Sequence, residues 1–198
     1  MKTFVAVITI ASFLFAPQFA RAEEPAAQSN LTFIIGKASI NDWKVSNDHT
    51  VYGLEADYNP GSWPVNAFGR ISSSNASENA YVYIPGYGTY NVNYQTKITE
   101  ISLGARKYFD LNNGMVRPHL SAGVSNVSVE LTPSISGLSL SASDSSTGFF
   151  GDAGVRFTVD RFFAGVNFRI LTGTGLSFWG ASTNANYTMW GVTFGIKL

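Results

Sequence analysis

GFFGDAGVRFTVDRFFAGVNFRIL, residues 148–171, decides the fold. Phe149, Gly151, Ala153, Val155 and Phe157 alternate with Asp152, Gly154 and Arg156. After a tight turn at Asp160-Arg161, Phe162, Ala164, Val166, Phe168 and Ile170 alternate with Asn167 and Arg169. A side-chain period of two is the signature of a strand with two unlike faces. The two segments therefore read as one hairpin, apolar on one side and polar on the other.

The same pattern recurs along the chain. Strands are expected at about 31–41, 50–59, 65–73, 90–109, 115–131, 148–159, 162–171 and 186–198. A soluble sandwich and a membrane barrel both alternate, but a barrel turns its apolar side chains to lipid and its polar ones to the lumen. Three features favour the barrel. The polar face carries many Gly and Ser beside Arg and Glu, which suits a narrow, packed interior. Short connections near 59–64, 110–114 and 160–161 alternate with long ones at 41–49, 73–90, 132–147 and 172–185, the rhythm of short periplasmic turns and long external loops. Trp43, Tyr58, Trp63, Tyr108, Phe109, Phe162, Trp179 and Trp190 lie near segment ends, as interfacial girdles do.

The expected fold class is thus all-β, a single antiparallel up-and-down transmembrane barrel of about eight strands. Ten strands would require a long loop to become a hairpin. Composition agrees. Aromatic residues are 14% and charged residues 13%, the latter about half the usual share. Beyond residue 22 no apolar run is long enough for a transmembrane helix.

Residues 1–22 read as a secretory signal. Lys2 supplies a positive start, 4–15 (FVAVITIASFLF) a short apolar run, and Ala20-Arg21-Ala22 a small-residue cleavage site. The barrel domain is then 23–198. Without Lys2 and Arg21 the basic count falls from 13 to 11 against 13 acids, a net charge of −2 that gives no reason to expect a nucleic-acid partner. The chain has no Cys, so neither disulfides nor a lipid-modified Cys are expected.

Taking the aliphatic face as outward, Lys37, Glu55, Asp57, Arg70, Glu100, Arg106, Arg117, Asp152, Arg156, Arg169 and Lys197 point inward. Buried charges need partners. Glu55, Glu100 and Asp152 among Arg70, Arg106, Arg117, Arg156 and Arg169 are expected to form a lumen charge network. Its simplest role is a plug of ion pairs, since eight strands leave an interior just wide enough for side chains. A small polar pore is the alternative.

His119 and Ser121 share a strand face, and with Glu100 or Glu130 they imitate a Ser-His-acid hydrolase. A lipid-modifying enzyme needs that group facing lipid, whereas parity turns both residues inward, and there is no nucleophile elbow. No enzyme and no cofactor is expected. His49 is expected in an external loop, and two isolated His without Cys make a zinc site improbable.

Residues 72–80 (SSSNASENA) and 134–147 read as solvated and flexible. Residues 80–94 (AYVYIPGYGTYNVNY) alternate around Pro85-Gly86, either as a long structured loop or as a hairpin extending the third and fourth strands. Tyr81, Tyr83, Tyr87 and Tyr90 are the expected contact residues for an extracellular partner.

With VRPHLSAGV (116–124) and GVRF (154–157) in view, the chain resembles the OmpA/OmpX-type small outer-membrane barrels. That resemblance implies a Gram-negative outer-membrane location and outer-membrane lipid as surroundings. It also implies insertion by the barrel-assembly machinery, which reads an alternating C-terminal strand. Here that strand ends Phe194-Gly195-Ile196-Lys197-Leu198, with Leu in place of the terminal aromatic. The roles implied range over structural support, adhesion, serum resistance and small pores. The mature protein is expected to begin at Glu23, which N-terminal sequencing of the outer-membrane form checks; retention of residues 1–22 would contradict the signal assignment.

Overall fold

The computed structural model describes residues 27–40, 48–135 and 138–198. The signal assignment at 1–22 and Trp43 therefore lie outside the described residues. Eight long strands form the wall. They are β1 (Gln28–Ile40), β2 (Asp48–Asn59), β3 (Asn66–Ile84), β4 (Gly88–Tyr108), β5 (Val116–Ile135), β7 (Ala142–Val159), β8 (Phe162–Thr172) and β11 (Tyr187–Lys197). Three short strands, β6 (Leu138–Ser139), β9 (Leu176–Phe178) and β10 (Ala181–Thr183), belong to connections. Among the described residues no helix is long and apolar enough to cross a membrane.

Every wall strand pairs antiparallel with both neighbours, and the sheet closes where β1 meets β11, from Asn30↔Lys197 to Ile40↔Tyr187. Closure follows from the solvent. In hydrocarbon an unpaired peptide group has no water to bond, so the strands must leave no edge. Burial alternates along each strand, and the polar parity is the buried one. On β2, Val51, Gly53, Glu55 and Asp57 are buried while Tyr52, Leu54, Ala56 and Tyr58 are exposed. The outward face is an apolar band, as in Leu31, Phe33 and Ile35 on β1 and Val166, Phe168 and Ile170 on β8.

The turns 59–66, 109–115 and 160–161 are short, as expected. Asp160 takes a positive φ of 53° in its two-residue turn. The opposite end departs from expectation. Residues 72–80 are not a flexible loop. They continue β3 and pair rung by rung with β4, from Ser72↔Glu100 to Ala80↔Val92, and the ladder runs on to Ile84↔Gly88. The 73–90 connection is therefore a hairpin extension with its turn at 85–87. Residues 134–147 shorten likewise, because β5 runs to Ile135 and β7 begins at Ala142. The wall still numbers eight, since the extra pairing lengthens existing strands. At about 3.3 Å per residue β3 is about 60 Å long, more than twice the height of a lipid-facing band.

Three orientations also differ. Lys37 is exposed on the outward face, its Nζ donating to Thr50 Oγ1 at 2.8 Å, because β1 carries aliphatic residues on both faces and the buried set is Thr32, Ile34, Gly36, Ala38 and Ile40. Tyr108 points inward and is not part of a girdle; it shares parity with Arg106 on β4. His49 is fully buried at the start of β2, with Nδ1 3.3 Å from Ser74 Oγ.

One close backbone approach lies between β4 and β5. Gly104 and Gly123 face each other across β4 and β5. A Cβ on Gly104 would sit 2.9 Å from the Phe150 ring, and one on Gly123 would sit 2.6 Å from Gly104 Cα. Gly104 thus leaves room for Phe150, and Gly123 lets the β4 backbone approach. Gly123→Val is expected to destabilise the barrel by about 1–3 kcal/mol or more. The midpoint at which the compact, unboiled gel band is lost in urea measures this, and an unchanged midpoint would contradict the packing.

Candidate functional site

The buried charges sort into two layers. In the layer nearer the short turns, Arg106 is the hub. Its Nη1 lies 2.9 Å from Glu55 Oε2 and 3.7 Å from Asp57 Oδ2, its Nη2 3.5 Å from Asp152 Oδ1, and its Nε donates to Ser121 Oγ at 2.7 Å. Arg156 adds 3.7 Å to Glu55 and 3.6 Å to Asp57. Asp57 is the most heavily bonded acid here. Asn30 and Asn66 each donate to its Oδ1 at 2.7 Å, and Tyr108 donates to Oδ2 at 2.7 Å.

In the layer nearer the long extensions Glu100 is the centre. Arg169 Nη2 and Ser125 Oγ each reach its Oε1 at 2.5 Å, Ser102 Oγ donates to the same oxygen at 2.8 Å, and Tyr187 donates its hydroxyl to Oε2. Arg169 also donates to Ser102 at 2.7 Å and to Tyr187 at 3.1 Å. Arg70 places Nη1 3.6 Å from Glu55 Oε1 and donates from Nη2 to Met189 Sδ at 3.1 Å. Between them lie Phe68 and Phe150, ring centroids 5.7 Å apart, with Arg106 4.1 Å above the first and Arg169 3.9 Å above the second. A guanidinium over an aromatic face is attracted by the ring quadrupole.

Seven of the eight residues expected in the network thus stand in these layers. The eighth, Arg117, stands at the rim beside the short turns, paired at 2.5 Å with Asp110, which is largely exposed. Four fully enclosed carboxylates (Glu55, Asp57, Glu100, Asp152) meet four guanidiniums (Arg70, Arg106, Arg156, Arg169), so the layers balance in charge. The sequence reading left Asp57 out of the network and missed Tyr108, Ser102, Ser125 and Tyr187. Parity marks Asp57, Tyr108, Ser102 and Ser125, since each lies an even number of residues from a buried charge on its own strand; Tyr187 has no buried charge on its strand and pairs with Ile40 and Leu171.

His119 and Ser121 do not form a relay. His119 Nε2 is 3.4 Å from Asp152 Oδ1, and Ser121 donates to that same oxygen at 3.4 Å. Both residues address one carboxylate inside the packed lumen. The acids considered earlier lie elsewhere: Glu100 belongs to Arg169, and Glu130 is exposed on the outward face.

Above the charged layers the lumen turns apolar. Ile34, Ile40, Val51, Ile98, Val127, Val129, Leu171 and Met189 are buried together with Leu176 and Phe178 of β9. The β9–β10 hairpin inside the 172–185 connection is folded down as a cap. It is tied to β7 by Gly175 N donating to Ser146 Oγ at 2.8 Å and Ser177 N to Asp144 Oδ2 at 2.7 Å. Nothing in the polarity of 172–185 announced this cap. Beneath it an interior void beside His49, Ser74, Glu100 and Tyr187 measures about 20 Å³, room for about one water. Of the expected contact tyrosines, Tyr81, Tyr83 and Tyr87 are 77%, 68% and 76% exposed on the hairpin extension, whereas Tyr90 is half-buried on its other face.

Residues 6–197 match the family described as outer membrane protein beta-barrel domain. The chain belongs to this family. It is an outer-membrane β-barrel, and in such barrels the short turns face the periplasm. Among solved structures it resembles Ail, the attachment invasion locus protein of Yersinia pestis, at 14% identity and TM-score 0.56, over 89% of this chain and all of that one. It also resembles Neisserial surface protein A (NspA) at 14% identity and TM-score 0.53, over 87% and 96% of the two chains. The N-terminal barrel domain of Pseudomonas aeruginosa OprF follows at 15% identity and TM-score 0.50, over 86% and 97%. At these identities the likeness shows the fold. Comparison with curated protein sequences finds no match.

Removing one partner of a buried pair leaves the other charge stranded. Arg106→Met is therefore expected to cost the barrel about 3–5 kcal/mol. Combining it with Glu55→Gln is expected to cost less than the sum of the single changes. Urea unfolding of the reconstituted protein and its three variants measures the coupling, and strict additivity would contradict the network.

Proposed function

We propose that this protein is a non-enzymatic outer-membrane barrel that works through its external surface, as a structural or adhesion-like contact protein. One observation carries this reading. The β3–β4 hairpin stands far beyond the apolar band and presents Tyr81, Tyr83 and Tyr87 to the outside. Large amphipathic aromatics held on a rigid strand pair lose little entropy on contact, which is why such residues recur at recognition surfaces. The closed charge layers and the apolar cap below support the same reading, because they leave the lumen little room for a solute. In this account the lumen network Glu55, Arg70, Glu100, Arg106, Asp152, Arg156 and Arg169 is a structural plug, and Arg117 is its periplasmic rim. Export by residues 1–22 and insertion by the barrel-assembly machinery through the C-terminal strand are part of the proposal.

The rival reading, a small pore, makes a contrary forecast. Purified protein in planar bilayers is expected to leave the membrane non-conducting. Stable, reproducible channels would overturn the plugged lumen. Tyr81→Ala/Tyr83→Ala/Tyr87→Ala is expected to keep the unboiled gel mobility of the native protein while weakening attachment of expressing cells to host-cell surfaces. Unchanged attachment would remove these side chains from the contact.

A further inference from the structure

The outward faces of β3, β4 and β5 change character along their length. Ile71, Ile101, Leu103 and Val124 belong to the lipid-facing band. Directly above them the same parity runs Ser73, Asn75, Ser77 and Asn79 on β3, with Thr99, Lys97, Gln95 and Asn93 opposite on β4. On β5 it runs Asn126, Ser128, Glu130 and Thr132. Nearly every outward group above the band is a hydroxyl or an amide, and Lys97 and Glu130, on one rung, are the charges in this stretch. The stretch also contains an open hollow of about 470 Å³, lined by Asn75, Ser77, Gln95, Lys97, Glu130 and Thr132. Small-ligand sites run to about 300–1,000 Å³.

We propose that this lateral face is a saccharide-binding surface that holds the oligosaccharide of a glycolipid seated in the same outer leaflet. It depends on the preceding reading only in placing the β3–β4 extension outside the bilayer. Four arguments support it. The first is continuity, because the patch begins where the lipid contact ends, on the same strands. A glycolipid whose acyl chains lie against Ile71 and Leu103 therefore has its sugars beside Asn75 and Gln95. The second is height. Asn75 lies four residues above Ile71, about 10 Å above the band once strand tilt is allowed for, which is headgroup territory.

The third is chemistry. A polyhydroxyl ligand asks for neutral donors and acceptors, and amides supply both on one side chain. Asn93 Nδ2 donates to Ser77 Oγ at 3.2 Å and to Asn79 Oδ1 at 3.1 Å, which fixes the orientation of these amides before any ligand arrives. Tyr81 and Tyr83, of the same parity farther up β3, offer ring faces to the C–H faces of a sugar. The fourth is what the patch lacks. One cation balanced by one anion makes a poor seat for a sulfated or nucleic polyanion, which needs clustered Lys and Arg.

The test uses the full barrel in detergent-free lipid nanodiscs containing either a glycolipid with its complete oligosaccharide or the same lipid truncated to its acylated disaccharide. Native mass spectrometry after washing reads the glycolipid retained per barrel. The complete glycolipid is expected to be retained at least about fivefold over the truncated one, the factor one net hydrogen bond supplies. Asn75→Ala/Gln95→Ala is expected to abolish the difference. A third arm offers free oligosaccharide to barrels in nanodiscs without glycolipid, and weaker retention there is expected from a lateral site.

Equal retention of the two glycolipids overturns the proposal, as does a preference that survives Asn75→Ala/Gln95→Ala. Equal or stronger retention of the free saccharide overturns its lateral source. The truncation arm uses the unaltered protein and stands whether or not the variant folds. A conducting lumen would sink the contact-protein reading without altering this result, and loss of the glycolipid preference would leave the hairpin tip contact intact.

Discussion

Inside hydrocarbon a peptide N–H without a partner has no water to fall back on, and that constraint shapes this molecule. It forces the sheet to close at the β1–β11 seam. Closure with eight strands fixes a radius at which side chains, not solvent, fill the interior. A charge turned inward then has no bulk water and must find its counterion across the lumen. The equality of four enclosed carboxylates and four guanidiniums is the electrostatic consequence of a backbone requirement. Arg117, at the rim where water enters, pairs instead with an exposed aspartate.

The interior is graded along the barrel axis, and the grading assigns roles to its two ends. Toward the periplasm the filling is ionic, and buried ion pairs hold one arrangement because a shift of any member strands another. Toward the outside it is apolar, and β9 completes it from above with Leu176 and Phe178. The Phe68–Phe150 pair separates the charged layers, and the missing side chain of Gly104 leaves room for the Phe150 ring. With both halves of the lumen filled, the surface open to a partner is the outer wall and the extensions.

Within the band the chain was legible because one face meets lipid and the other does not, so hydrophobicity and parity carry the same information. The hairpin at 148–171 reads directly, and so do the inward Arg106, Arg156 and Arg169. Legibility failed where that contrast disappears. Along 72–80 both strand faces are polar or small, so an ordered ladder looks like a solvated loop. Near the outer end of β1 the inward face is the aliphatic one, Ala38 and Ile40, so taking the aliphatic face as outward turns Lys37 the wrong way. Tyr108 was placed in a girdle by its position at a segment end, although its parity with Arg106 already turned it toward Asp57. His49 and the β9 cap depend on contacts between distant segments that no local pattern encodes.

The failure at 72–80 has a functional side. A strand that leaves the bilayer no longer needs an apolar face, yet its backbone must still be paired to remain rigid. The β3–β4 ladder meets that need with a continuous run of rungs. The side chains on its outward face are thus released from both lipid and lumen, and what occupies them is free to respond to a ligand. The outward face here carries amides, hydroxyls and tyrosines with a single Lys–Glu rung, a surface with little to offer a polyanion and much to offer a neutral sugar. Closure constrains the positions that face lipid and lumen and leaves those of the extension unconstrained.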